Sequence, residues 1–288
     1  MRIGYVGLGL MGAPMARRVL AQQHELAVWN RDPRKAQELQ REGANHAASA
    51  AEVMAAADIV GLCLTSDAAV EAVAFGEQGL FSAERIAGKI IVDFSTCSPE
   101  AARWFAERAQ SHGVDWIDAP VSGGVPGAEA GTLVVLAGGS ENALARAAPL
   151  LQAVAARVTH IGPSGAGQVA KLCSQLIVSC NVLLLAETYA LGRKSGIDVG
   201  RLVEAFRGGF ADSKPLQIFG PRMAHHEFEP ILGAIAMMRK DVELVAQLAN
   251  KTGSVAPLLQ RAQEIYATPG LDLDKDLSGL ICLYEKDL

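Results

Sequence analysis

Apolar and polar positions follow two patterns along this chain, and the pattern changes once. Met1-Arg2-Ile3-Gly4-Tyr5-Val6 is a short apolar run that predicts a buried strand, and Ala13 to Leu20 predicts a helix soon after. Glu25 to Trp29 predicts a second strand, with a helix from about Pro33 to Glu42. Asp58 to Leu64 and Lys89 to Phe94 are further apolar strands, and a helix from Ser98 runs past Trp104. Val114 to Ile117, Leu133 to Ala137 and Val158 to Ile161 complete the strands, with a helix from about Glu141 to Ala153 between the last two. Strands alternating with helices predict an α/β fold built on a parallel, doubly wound sheet.

The change comes after Ile161. Gly162-Pro163-Ser164-Gly165-Ala166-Gly167 is a cluster of breakers, and no convincing strand follows it. A long helix is predicted from about Gln168 to Lys194, stopping at Ser195-Gly196. Roughly 27 residues at 1.5 Å each make it about 40 Å long. Asp198 is a good N-cap for a helix ending at Gly208-Gly209. Further helices are expected over about Leu232 to Thr252 and Val255 to Tyr266. The expected organisation is a strand-and-helix domain over residues 1–162 and an all-α domain over 163–288.

Between the first strand and its helix stands Gly7-Leu8-Gly9-Leu10-Met11-Gly12, a G-x-G-x-x-G in the context a dinucleotide fingerprint requires. Gly7 permits the tight turn, Gly9 lets the backbone approach a pyrophosphate, and Gly12 lets helix and strand pack closely. The helix N-terminus supplies N–H groups and a positive dipole end to the phosphates. This points to a Rossmann-type domain holding a dinucleotide.

Composition narrows the class. The 288 residues are 50% hydrophobic and only 5% aromatic, so the core is aliphatic. The net charge of −5 and the lack of a basic run exclude nucleic acid as an expected partner. Five scattered cysteines without a C-x-x-C fit reduced thiols in a cytoplasmic protein, and the opening strand leaves no room for a signal peptide. Mean hydropathy is +0.20, so a membrane span has to be considered. Leu172 to Ala186 is uncharged but is only fifteen residues long and holds Ser174, Gln175, Ser179 and Asn181. A span needs about 20, so the segment reads as a buried helix and no membrane is expected.

Several residues are candidates for chemistry. Asn30 and Arg31 end the second strand, where an NAD-selective site usually carries a carboxylate. A guanidinium holds a 2′-phosphate through paired hydrogen bonds, and Lys35 adds charge one turn on, so NADP is favoured and NAD stays possible. Asp32 weakens that reading, because it could turn towards a ribose; Arg31 and Lys35 would then be a solvated face. Ser122, Gly123 and Gly124 offer a hydroxyl and two backbone N–H groups to a carboxylate; taken alone, the segment reads equally well as an ordinary turn. Lys171 lies one turn into the long helix, with Gln175 at i+4 on the same face. By itself Lys171 reads as a lysine snorkelling from a helix end, and Lys240-Asp241 as a solvated pair. His225, His226, Glu227 and Glu229 are the only metal-like cluster, but Pro230 ends any helix there and no third ligand is evident, so no metal is expected.

Gly7 to Ala16, Asp118 to Gly124, Gly165-Ala166-Gly167 through Lys171, and Lys240-Asp241, in this order, resemble the β-hydroxyacid dehydrogenase family over almost the whole chain. Its members include 3-hydroxyisobutyrate dehydrogenase, tartronate semialdehyde reductase and glyoxylate/succinic semialdehyde reductases, with a 6-phosphogluconate dehydrogenase-like C-terminal domain. The resemblance implies hydride transfer between NAD(P) and a small β-hydroxy acid or its semialdehyde. It implies that Ser122, Gly123 and Gly124 hold the substrate carboxylate, that Lys171 is the acid/base, and that Lys240 reaches the cofactor. Thr96 matches a threonine on the nicotinamide side, and Leu64-Thr65 falls where many members have Leu-Pro beside the cofactor. Gln175 stands where many members carry asparagine, which resembles the tartronate semialdehyde reductase branch.

Two rival readings remain. An imine reductase on the same scaffold usually lacks the lysine, and a non-catalytic dinucleotide-binding module would have no use for Lys171 beside a carboxylate cradle. The apolar helix from Gln168 to Lys194 and the family resemblance both imply a homodimer or homotetramer joined through the helical domain. The active cleft is expected between the two domains.

Overall fold

The computed structural model describes residues 1–285. Contacts divide the chain into two compact units, Met1–Lys171 and Leu172–Leu288.

In the first unit the strands are β1 (Arg2–Val6), β2 (Glu25–Trp29), β3 (Asn45–His46), β4 (Ile59–Leu62), β5 (Ile90–Asp93), β6 (Asp115–Asp118), β7 (Val121–Ser122), β8 (Leu133–Gly138) and β9 (Ala155–Gly162). They form one sheet in the order β3-β2-β1-β4-β5-β6-β8-β7, with β9 pairing with β8. From β3 to β6 every pairing is parallel, while β8 runs antiparallel to both β6 and β7. The expectation of a parallel sheet therefore fails at that edge. A parallel return to the sheet needs a full crossover, and the connection from β6 to β8 holds only β7 and the seven-residue helix Gly124–Ala130.

The central strands are apolar at successive positions because both faces are covered. Ile3 and Tyr5 of β1 join one buried cluster with Leu26, Val28 and Val92, while Val6 joins a second with Ala27, Val60 and Ile91. Period-two alternation thus divides one run between two cores, which is why these strands read as continuous hydrophobic segments.

The helices begin where the side chains dictate. Ser49, Ser66, Ser98 and Ser140 each accept the backbone N–H three residues on, capping the helices Ala50–Ala56, Asp67–Phe75, Pro99–Gln110 and Glu141–Arg146. The single helix expected over Glu141 to Ala153 is two, Glu141–Arg146 and Ala148–Val154, broken where Pro149 takes a first-turn position.

In the second unit the regular elements are helical. The long helix is Ala166–Lys194, and the unit division falls inside it rather than at the glycine cluster. Lys214–His225, Ile235–Thr252 and Pro257–Tyr266 follow. The segment after Asp198 is a short 3-10 turn, Val199–Arg201, leading into Leu202–Phe206. Leu172, Val182, Ala186 and Tyr189 of the long helix are fully buried in this unit's core. That helix is long and apolar enough to cross a membrane by length and composition, and its buried face accounts for part of that apolarity.

Candidate functional site

The glycine fingerprint forms the turn between β1 and the helix Gly12–Ala21. Gly7 has φ +91°, and a Cβ on Gly12 would collide with the Gly7 carbonyl oxygen. A Cβ on Gly9 would meet nothing within 4 Å. The outer two glycines are thus required by the protein's own packing, whereas Gly9 faces open space of the kind a pyrophosphate needs. No side chain caps this helix at Met11, which leaves its N-terminal dipole end to a ligand.

Asn30 braces the turn. Its Oδ1 accepts the Leu8 N–H at 2.9 Å and its Nδ2 donates to the Asp32 carbonyl at 3.0 Å. Asp32 turns to its own helix, accepting the Arg34 N–H and pairing with the Arg34 guanidinium, which holds its carboxyl below the usual range. Arg31 is exposed and makes no hydrogen bond or ion pair among the described residues. Lys35 is also exposed, and it lines a groove of about 640 Å3 with Leu8, Gly9, Leu10, Ala13 and Arg17.

Leu64 and the Thr96 segment are brought together through Ser95, whose Oγ accepts the Leu64 N–H at 2.9 Å. Thr65 is exposed beside them in sequence. The Ser95 N–H donates to Asp93 Oδ1 at 2.9 Å. Asp93 is buried at the end of β5 and its Oδ2 has no hydrogen-bond partner. Burial, with Asp118 and Asp67 adding negative charge nearby, pushes its carboxyl up from 3.8 to about 7.

Ser122 ends β7, and Gly123 and Gly124 follow with φ +133° and +61°, exposed to solvent. The helix they lead into packs against the fingerprint helix. Asp118, at the head of the same segment, is fully buried, and burial raises its carboxyl. Its Oδ1 accepts the Gly165 N–H at 2.8 Å and its Oδ2 the Gln168 N–H at 3.0 Å. A Cβ on Gly167 would clash with the Leu136 carbonyl and sit 2.8 Å from Asp118 Oδ2. Gly167 is therefore a close-approach glycine, and the start of the long helix is tied to the end of β6. Lys171, one turn further along, is 7% exposed.

In the second unit Gln175 and Lys240 meet on one carboxylate. Gln175 Nε2 donates to Asp241 Oδ2 at 2.5 Å, and Lys240 Nζ lies 3.0 Å from Asp241 Oδ1. Asp241 itself is 7% exposed. Lys240 and Gln175 are marked by the sequence, whereas Asp241, Asp93, Ser95 and Gln168 acquire their roles only in the fold. Gln175, Leu64 and Asp118, which engage Asp241, Ser95 and Gln168, are distant in sequence, and the short Asp93–Ser95 contact looks like any strand end. The histidine cluster does not assemble: His226 bonds to Arg193 and Glu285, and among the described residues no group of three or more His, Cys, Asp or Glu could hold a metal ion.

Comparison with known proteins gives this geometry a family. Residues 2–162 match the NAD binding domain of 6-phosphogluconate dehydrogenase, and residues 165–284 match the NAD-binding domain of NADP-dependent 3-hydroxyisobutyrate dehydrogenase. The chain is 37% identical to 2-hydroxy-3-oxopropionate reductase of Escherichia coli, over 93% of this chain and 91% of that one. Among solved structures, Mycobacterium tuberculosis 3-hydroxyisobutyrate dehydrogenase with L-serine is 32% identical, with a TM-score of 0.86 and 98% of each chain covered. Psf3 in complex with NADP+ and 2-OPP is 28% identical, with a TM-score of 0.90 over 98% of this chain and 99% of that one. An imine reductase from Pseudomonas sp., at 20% identity and a TM-score of 0.66 over 96% and 97%, shares the fold alone. The chain belongs to the β-hydroxyacid dehydrogenase family, and is an NAD(P)-dependent oxidoreductase of small hydroxy acids.

Proposed function

We propose that this enzyme reduces a short aldehyde bearing a carboxylate, with 2-hydroxy-3-oxopropionate as the first substrate to try, and that it prefers NADPH. The observation that carries the substrate reading is Gln175, fixed by Asp241 one helical turn beyond Lys171. A glutamine amide reaches further than asparagine, and a hydroxyl beside the aldehyde carbon would compete for it with Asp241 and the Met238 sulfur. The 37% identity to 2-hydroxy-3-oxopropionate reductase supports the same choice.

The bound nicotinamide supplies the hydride. Lys171 Nζ donates a proton to the carbonyl oxygen as negative charge grows there, and in the reverse direction the neutral amine takes it back. The Ser122 hydroxyl and the N–H groups of Gly123 and Gly124 hold the substrate carboxylate, which fixes the carbon that reacts. Gly7 to Gly12 hold the pyrophosphate, with Leu64, Thr65 and Thr96 beside the cofactor and Lys240 adding a cation to it. The unengaged Arg31 guanidinium, with Lys35, receives a 2′-phosphate; Asn30 serves by bracing the turn. The reading includes a homo-oligomer in the cytoplasm. Following NADPH and NADH oxidation by absorbance with 2-hydroxy-3-oxopropionate, and NADP+ and NAD+ reduction with 3-hydroxyisobutyrate and L-serine, tests it. Turnover fastest with 2-hydroxy-3-oxopropionate and NADPH is expected; a faster 3-hydroxyisobutyrate or L-serine reaction overturns the substrate choice.

A further inference from the structure

We propose that Gln168 is a positioning residue, clasping the backbone on both sides of Thr96 so that Lys171 and the Thr96 loop share one rigid mount. The inference rests on reading Lys171 as the proton donor and Thr96 as a contact of the nicotinamide. Gln168 is fully buried. Its Oε1 accepts the Cys97 N–H at 3.0 Å and its Nε2 donates to the Ser95 carbonyl at 2.8 Å. The amide thereby acts as a peptide group would in a neighbouring strand, satisfying one donor and one acceptor of the loop.

Both ends of the clasp are themselves fixed. On the helix side, the Gln168 N–H is held by Asp118 Oδ2, and the Gly165 N–H by Asp118 Oδ1. On the loop side, Ser95 is held by Asp93 and in turn holds the Leu64 N–H. Lys171 follows Gln168 by three residues in the same helix, so the two side chains project from adjacent positions of one face. A chain of buried hydrogen bonds therefore runs from the helical turn bearing Lys171 to the loop bearing Thr96, all within the first unit. Hydride and proton transfer to one carbonyl require both groups to be placed within a fraction of an ångström. Removing the amide leaves the Ser95 carbonyl and Cys97 N–H buried without it and loosens that spacing.

The test uses the full chain with Gln168→Met, of similar length but lacking both hydrogen-bonding groups, and Gln168→Glu. Four quantities are measured: kcat, KM, the NADPH Kd by fluorescence, and the isotope effect on kcat with NADPH deuterated at the transferred position. Gln168→Met is expected to bind NADPH within about threefold of wild type while kcat falls at least about tenfold. Its isotope effect should rise, because the hydride step has become slow. A purely structural tie would lower the active fraction and leave the isotope effect where it was. In Gln168→Glu the ionised carboxylate cannot donate to the Ser95 carbonyl, but the protonated acid reproduces one donor and one acceptor. Its kcat relative to wild type should therefore climb as pH falls.

A Gln168→Met enzyme with kcat within about twofold of wild type overturns the inference, as does an unchanged isotope effect. If Gln168→Met does not fold, the Gln168→Glu series decides, and a ratio flat in pH overturns it. Lys171→Ala run alongside separates the two readings. Near-normal Gln168→Met with inactive Lys171→Ala removes the positioning role alone, whereas active Lys171→Ala with impaired Gln168→Met removes the assignment of Lys171.

Discussion

The Gln175 amide and the Asp241 carboxylate are locked together at 2.5 Å, and the other oxygen of that carboxylate lies 3.0 Å from the Lys240 ammonium. Asp241 thus links the residue proposed to read the substrate to the residue proposed to reach the cofactor. Gln175→Asn pulls the amide back by one methylene and breaks the link on one side only. It should lower kcat/KM for 2-hydroxy-3-oxopropionate about tenfold, the worth of one charge-assisted hydrogen bond, and leave the NADPH Kd within about twofold. Steady-state kinetics with a fluorescence titration checks this; an equal loss in both quantities would refute the division of roles.

Lys171→Ala should reduce turnover at least about a hundredfold, the usual contribution of a positioned general acid. The dinucleotide Kd should stay nearly constant, because the fingerprint belongs to β1 and its helix. Single-turnover absorbance with saturating NADPH is the measurement, and near-normal rates would sink the assignment.

Arg31→Ala should weaken NADPH binding about tenfold or more, the cost of losing a hydrogen-bonded charge pair, while NADH changes by less than about twofold. Isothermal titration of both cofactors against both proteins decides it. An equal loss for the two cofactors, or a wild type that prefers NADH strongly, would give the ribose contacts to Asn30 and Asp32 instead.

The parts of this molecule legible in sequence were those governed by neighbours along the chain. β1 with Gly7 to Gly12 was readable because strand, turn and helix follow one another, and the sterics of Gly7 and Gly12 act over five positions. The helix Lys214–His225 carries its signals locally too, with Ser213 accepting the Leu216 N–H and Pro215 in the first turn. Pro221 inside it masks the periodicity, and the helix went unpredicted. Asp118 and Gln168 were illegible for a different reason. Asp118 holds a helix 47 and 50 residues away, and Gln168 clasps a loop 71 and 73 residues away. A buried carboxylate between Ile117 and Ala119 looks like an ordinary strand end until the sheet brings Gly165 to it.

Asp93 sets a pH dependence of stability. Its carboxyl titrates near 3.8 in the unfolded chain and about 7 in the native one, because burial opposes its charge. Between those values the native state binds more protons than the unfolded state, so stability is greatest on the acid side and falls as pH rises through the window. Asp93→Asn does not titrate. Its Tm minus that of wild type should therefore become more positive, by several degrees, from pH 5 to pH 8. Asp118 titrates in both proteins and interacts with Asp93, so the difference reports the loss of Asp93 together with that coupling. Scanning calorimetry at the two pH values is the check, and a constant difference would show that Asp93 ionises normally in the native state.

The proposed homo-oligomer is argued from the outer face of the long helix. Ile177, Leu184 and Leu191 are 69%, 61% and 69% exposed and stand seven residues apart. Seven residues fall about 20° short of two helical turns, so the three side chains form one apolar stripe along Ala166–Lys194. Scattered exposed leucines are ordinary, but a continuous stripe at this spacing is the pattern of a helix seam awaiting a partner. The same stripe on a second copy is the simplest cover, since a two-fold interface is self-complementary. Wild type should therefore be a dimer or tetramer by size-exclusion chromatography with light scattering. Leu184→Glu places a carboxylate at the centre of the stripe, where facing copies would bury two like charges. It should shift the population to monomer at micromolar concentration, with the helical content by circular dichroism unchanged. A monomeric, fully active wild type, or a Leu184→Glu variant of unaltered mass, would show that the stripe is not the seam.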